Sequence, residues 1–296
     1  MPLTRRALLS TTAATTAALA VAAAPATAHR HKPAPVRHIP LQGAVNVRDL
    51  GGYRTYDGDR VRHGRVYRAD ELGKLTDADV TTLAGLRLTR AIDFRVPLEI
   101  QQNGADRLPA GVTAVSRPVS DLGLYGRLLQ IIGSRDPVAQ EAALGGGRGA
   151  ELMRSIYPAF VSDPANRAQF AATLRDLATA RGPVLYHCTS GKDRTGWTSY
   201  VLLRIVGVPG AVAEEDYLLS NTYRAEADRR TREGVRALGL MQNPDLLIPV
   251  QEVRREYLQA ALDQAAADFG GLTGYVRDGL GLNWGMVAAL RARLVD

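Results

Sequence analysis

Cys188 and Arg194 stand with five residues between them in His187-Cys188-Thr189-Ser190-Gly191-Lys192-Asp193-Arg194-Thr195-Gly196. An ionised thiol is a strong nucleophile, and a guanidinium is a planar fork of donors matched to the oxygens of a phosphate. Brought to one bound oxyanion, the pair performs attack of sulfur on phosphorus, giving a cysteinyl-phosphate that water later releases. Amides and cations that hold such an anion also favour a thiolate over a thiol. Two blander readings compete with this one. A lone cysteine is often a small buried hydrophobe. A Gly-Lys pair can belong to an NTPase phosphate loop, but Asp193 follows Lys192 where Ser or Thr is required, and Tyr186 stands where the first Gly belongs.

The flanking elements must aim the loop. Pro183 to Tyr186 reads as a short buried strand, and Trp197 to Val206 as an apolar helix closed by Gly207 and Pro209. In a strand-loop-helix turn the loop amides point ahead of the helix N-terminus, where an anion is favoured. Thr189, Ser190, Gly191, Lys192, Asp193 and Arg194 are therefore the expected phosphate-binding residues.

The decad resembles the signature loop of the protein-tyrosine phosphatase superfamily, and its Gly191-Lys192-Asp193-Arg194 filling is similar to a bacterial branch, some of it secreted, that also acts on phosphoserine, phosphothreonine and phosphoinositides. The likeness extends through Asn46-Val47-Arg48-Asp49-Leu50-Gly51-Gly52-Tyr53, Asp93-Phe94-Arg95 and Asp216-Tyr217-Leu218-Leu219-Ser220-Asn221, as far as about Asp278. It implies an α/β fold with a central, mostly parallel sheet flanked by helices, and a helical lid over residues 221–251. It implies Cys188 as nucleophile and Arg194 as phosphate clamp, with no cofactor and no metal. His187 would orient Cys188, Thr195 would stabilise the sulfur as a leaving group, and Lys192 suits a second phosphate. The tryptophan-proline-aspartate loop of the wider superfamily is missing, so the proton donor is open among Asp193, Asp93 and Asp216. Family resemblance favours Asp193, although Lys192 and Arg194 oppose its protonation. Asp93, beside Arg95 at a strand end, follows closely, because ligands of open α/β sheets sit at that edge.

A chain of 296 residues, 46% hydrophobic and 23% charged, suits one large domain. The net charge is +7. The first 28 residues carry two arginines and no acid, so the remainder keeps +5 and favours anionic partners. A phosphorylated protein or a phosphoinositide fits that balance. No nucleic-acid motif stands out. The single cysteine excludes an internal disulfide and a cysteine-based zinc site. His29, His31 and His38 fall in a stretch rich in Pro and basic residues that reads as a solvated linker.

Thr4-Arg5-Arg6 and the Ala/Thr-rich run behind it resemble a twin-arginine signal peptide ending at Ala28. The expected organisation is thus signal peptide 1–28, linker 29–40 and catalytic domain 41–296, exported, with no membrane span in the mature chain. A hairpin is expected over residues 46–67, a helix capped by Thr76, strands near 89–94 and 112–119, and helices over 150–161 and 165–180. Residues 120–149, rich in glycine and weakly periodic, read as a mobile surface excursion. The arginines from Arg224 to Arg236 read as a solvated helix face. Two other functions compete with hydrolysis. One is a phosphoinositide- or phosphoprotein-binding module without turnover, and the other is sulfur transfer through a persulfide on Cys188.

Overall fold

Six strands make one mixed sheet in the computed structural model, which describes residues 37–296. The expected signal segment 1–28 and the linker as far as residue 36 lie outside the described residues. In chain order the strands are β1 (Arg37–His38), β2 (Arg48–Asp49), β3 (Val66–Ala69), β4 (Arg90–Asp93), β5 (Thr113–Ser116) and β6 (Val184–His187), arranged β1-β2-β3-β6-β4-β5. The β3-β6-β4-β5 pairs are parallel, and the short β1-β2-β3 edge is antiparallel. Strand pairing starts at Arg37 and Ile39 is buried, ahead of the expected boundary at Leu41. The end of the basic linker is recruited because its backbone pairs with β2 and His38 stacks on Tyr223, with ring centroids 4.4 Å apart.

β6 lies between β3 and β4, and all four of its residues are buried, as befits a parallel strand covered on both faces. The period-2 alternation assigns its side chains: Val184 and Tyr186 enter the larger core cluster, whereas Leu185 enters a smaller one with Tyr67, Ala69 and Leu83. The register sets Ala69 and Asp93 both opposite His187. The residues that follow three neighbouring strands therefore emerge at one sheet edge.

Helices α1 (Asp77–Gly85), α2 (Pro97–Asn103), α3 (Leu124–Gly133), α4 (Pro137–Leu144), α5 (Arg148–Ser162), α6 (Pro164–Thr179), α7 (Arg194–Ile205) and α8 (Gly210–Ala237) follow in order. After them come a 3-10 turn (Pro244–Leu247), α9 (Ile248–Gln251), α10 (Arg255–Phe269), α11 (Leu272–Gly274), a π turn (Tyr275–Gly279) and α12 (Trp284–Leu294). Thr76 caps α1 in a reciprocal box with Asp79. Among the described residues no helix is long and apolar enough to cross a membrane.

Residues 120–149 are not a loose excursion. They form α3 and α4, with Leu128, Ile131 and Ile132 of α3 packed on the core. Gly123, Gly126 and Gly133 mask this apolar face when only the sequence is read. Asp136 caps α4, and Gly146 and Gly147, both at positive φ, turn the chain into α5.

Candidate active site

The loop after β6 is held from outside by its own carbonyls. Asn46 Nδ2 donates to the carbonyls of Ser190 (3.2 Å) and Gly191 (3.0 Å), Arg68 Nη2 to Gly191 (2.7 Å), Arg224 Nη1 to Ser190 (3.2 Å), and the Glu71 amide to Thr189 (3.1 Å). The amides of Ser190 to Asp193 donate to no acceptor among the described residues, the condition an anion nest requires. Gly191 has φ +63°, and a Cβ there would lie 2.4 Å from the Ala69 carbonyl oxygen, so the loop passes β3 only as glycine.

Cys188 and Arg194, 2% and 6% exposed, both border a cavity of about 240 Å3. Thr189, Ser190, Lys192 and Asp193 line it too. These residues of the decad thus meet at one cavity, with Cys188 set between that cavity and the larger core cluster. Leu124, Leu128, Met153, Ile156, Leu247 and Val250 make an apolar wall opposite the loop. Residues from the expected lid, among them Arg224, Asp228, Leu247 and Gln251, border the cavity as well. The arginine run is therefore not wholly a solvated face: Arg229 and Arg230 are exposed, but Arg224 turns into the cleft, paired with Asp228 at 2.7 Å.

Sequence reasoning missed the partner of Arg194. Glu99, on the first turn of α2, takes Nη1 on Oε2 (2.7 Å) and Nη2 on Oε1 (2.5 Å), and also accepts from the Thr189 hydroxyl and the Val96 amide. Arg194 Nη1 further donates to the carbonyls of Phe94 and Val119, whereas its Nε has no partner among the described residues. Burial works against charge on Arg194, but Glu99 and Cys188 more than offset it and raise its pKa. Burial likewise opposes ionisation of Glu99, yet the Arg194 guanidinium keeps its carboxyl below the usual range. No motif spacing links residues 95 positions apart.

His187 sits directly before Cys188 at the end of β6. Its Nε2 meets Asp106 Oδ2 at 2.8 Å and its Nδ1 meets the Cys188 carbonyl at 3.3 Å. Burial lowers the imidazole pKa, but Asp106 and Asp93 outweigh it and raise the value. Arg95 Nη2 joins Asp106 (2.6 Å) to Asp93 (2.9 Å). The ligand atoms of Asp93, Asp106 and His187 lie within 4.8 Å of one another, but both carboxylates are already paired with the guanidinium of Arg95. Thr195 Oγ1 is buried with no hydrogen-bond partner among the described residues.

The three candidate proton donors separate. Asp93 is spanned by Arg95 and does not border the cavity, which corrects the expectation that its place at the strand end brings it to the ligand. Asp216 does not border it either. That carboxylate is locked between Arg48 Nε (2.9 Å) and Arg68 Nη1 (2.7 Å), and these arginines hold its pKa down against burial. Arg95 is likewise an internal bridge, away from the cavity. Asp193 alone of the three lines the cavity, accepting from Tyr157 (2.8 Å) and Lys192 Nζ (2.9 Å). A fourth carboxylate, Asp121 after β5, also lines it, with its oxygens on the amides of Gly123 and Tyr125 at the start of α3. Sequence reasoning passed over Asp121 because it fell inside the supposed loop.

The family model described as tyrosine phosphatase family matches residues 39–296. The chain belongs to that family. This phosphatase is 32% identical over 250 residues to a chain named as a tyrosine-protein phosphatase in Cupriavidus necator, covering 83% of this chain and 84% of the relative. It is 30% identical over 281 residues to the triple specificity protein phosphatase PtpB of Mycobacterium tuberculosis, covering 88% and 99%. The phosphatase is therefore a protein-tyrosine phosphatase of the bacterial branch, with a phosphorylated substrate.

Proposed function

We propose that the phosphatase hydrolyses phosphomonoesters through a cysteinyl-phosphate. The observation that carries this reading is the convergence of Cys188, Arg194 and Asp193 on one cavity whose floor is a loop with undonated amides. Sulfur attacks phosphorus, the bond to the ester oxygen breaks, and Asp193 passes its proton to that oxygen. The three nonbridging oxygens rest on the amides and on the Nε edge of Arg194, where charge must be held in the transition state. Water then attacks phosphorus, gives a proton back to Asp193 and frees the sulfur.

The apolar wall fits the ring of phosphotyrosine. Lys192, buried at the cavity edge, provides charge for a second phosphate, and one relative is named for triple specificity. These two features support serine/threonine phosphoesters and phosphoinositides as further substrates. Arg5-Arg6 with the Ala/Thr-rich run supports export.

The test is hydrolysis of an aryl phosphate with and without chelator. Activity that survives chelator and disappears in Cys188→Ser supports the reading, whereas phosphate binding without turnover, or sulfur release from thiosulfate, overturns it. Rates on phosphopeptides and phosphoinositides, measured side by side, decide the range.

A further inference from the structure

Two buried phenols converge on the carboxylate of Asp193. Tyr157, from α5, donates its hydroxyl to Asp193 Oδ1 at 2.8 Å, and the hydroxyl of Tyr217, from α8, lies 2.6 Å from that of Tyr157. Beyond Tyr157, the Tyr217 hydroxyl reaches only the Arg254 carbonyl, at 3.5 Å, among the described residues. Phenylalanine would fill the same space without two hydroxyls to desolvate, so the hydroxyls are costly there unless their bonds matter. Burial, the charge of Asp193 and the neighbouring phenols raise the pKa of both tyrosines well above that of a free phenol, so both remain protonated donors.

We propose that Tyr157, backed by Tyr217, is the positioning residue for the proton donor Asp193. This rests on the assignment of Asp193 as the acid. The other groups that face this carboxylate are Lys192 in the loop and Tyr257 on α10. The guanidinium of Arg194 is turned to Glu99, and Arg254 is paired with Glu252. Lys192 Nζ contacts both oxygens of Asp193 at 2.9 Å and also reaches the Glu252 carbonyl at 3.3 Å. A flexible lysine drawn to a bound phosphate no longer fixes the carboxylate. Tyr157 stays, because its ring is packed against Phe160, Tyr217 and Tyr257. One oxygen of Asp193 is thereby anchored through the reaction, and the other is presented to the ester oxygen.

The test is a leaving-group series, from activated aryl phosphates to phenyl and alkyl phosphates, with full pH profiles. In Tyr157→Phe, kcat on the poorest leaving group falls by about tenfold, roughly the loss of one hydrogen bond to a charged group, and kcat on the most activated ester changes by less than about twofold. Because the lost donor favoured the carboxylate, the basic limb of kcat moves to higher pH. Tyr217→Phe shows the same pattern more weakly. Asp193→Asn steepens the leaving-group dependence by about 10²-fold or more, and Asp121→Asn does not. A parallel fall on all esters in Tyr157→Phe, with Asp193→Asn still selective, overturns the positioning role alone. A flat series in Asp193→Asn removes the acid assignment and this inference with it. Thermal melts identify a variant that has lost its fold, and Tyr217→Phe then decides by the same criterion.

Discussion

Glu99 grips Arg194 through both carboxylate oxygens, 2.7 and 2.5 Å from the two terminal guanidinium nitrogens. The signature arginine thus reaches the cavity already held in one plane, with its Nε edge left for a ligand. Glu99 also takes the Thr189 hydroxyl, so one carboxylate from α2 ties both ends of the loop.

Glu99→Ala leaves a buried guanidinium unpaired. A destabilisation of about 3–5 kcal/mol is expected from denaturant titration, and kcat/KM on an aryl phosphate falls by about 10²-fold. The sign with pH is set by the lowered pKa of Glu99. A carboxyl depressed on folding contributes stability above its unfolded value, near 4.3, and loses that contribution as pH falls toward the folded value. The gap between wild type and Glu99→Gln therefore narrows below about pH 4.3.

Arg194→Lys keeps the charge and loses the planar fork, and a point charge matches neither Glu99 nor a phosphate. A fall in kcat of about 10²- to 10³-fold is expected in single-turnover assays.

Asp106→Asn tests the charge paired with His187. The imidazole of His187 is raised on folding, so its pairing with Asp106 stabilises the fold below the unfolded value of about 6.5 and is lost as pH rises through the folded value. Asp106 is itself depressed below the usual carboxylate range by His187 and Arg95, against burial. Urea unfolding should show wild type exceeding Asp106→Asn most at about pH 5.5–6.5 and less at about pH 9. NMR titration should find the His187 pKa lower in the variant.

Gly191→Ala places a Cβ 2.4 Å from the Ala69 oxygen at φ +63°. A loss of about 3 kcal/mol is expected, roughly 6 to 12 °C in melting temperature for a domain of this size, together with loss of phosphate binding by calorimetry.

The strands from β2 onward, the helix after the loop and the capped α1 were legible because their signals are local, such as a short apolar run, a glycine stop and a threonine cap followed by acidic residues, whereas β1 was hidden in the basic linker. α3 and α4 were not, since glycines at 123, 126 and 133 weaken a short apolar face whose partners, α5 and the segment around Leu247, come later in the chain. Resemblance singled out Asn46, Arg48 and Asp216, and contacts now give their physical reason. Asn46 holds the carbonyls of Ser190 and Gly191, and Arg48 bonds both Asn46 and Asp216.

What the sequence alone determined is the chemistry: sulfur, amides and guanidinium lie within ten consecutive residues, so their meeting depends only on the path of one short loop. What the tertiary structure decided is which charges complete the site. Glu99, Asp106, Tyr157 and Arg224 come from separate elements, and Asp93 and Asp216 are withdrawn into ion pairs, because a carboxylate has no assigned role until folding fixes which cation it is buried against.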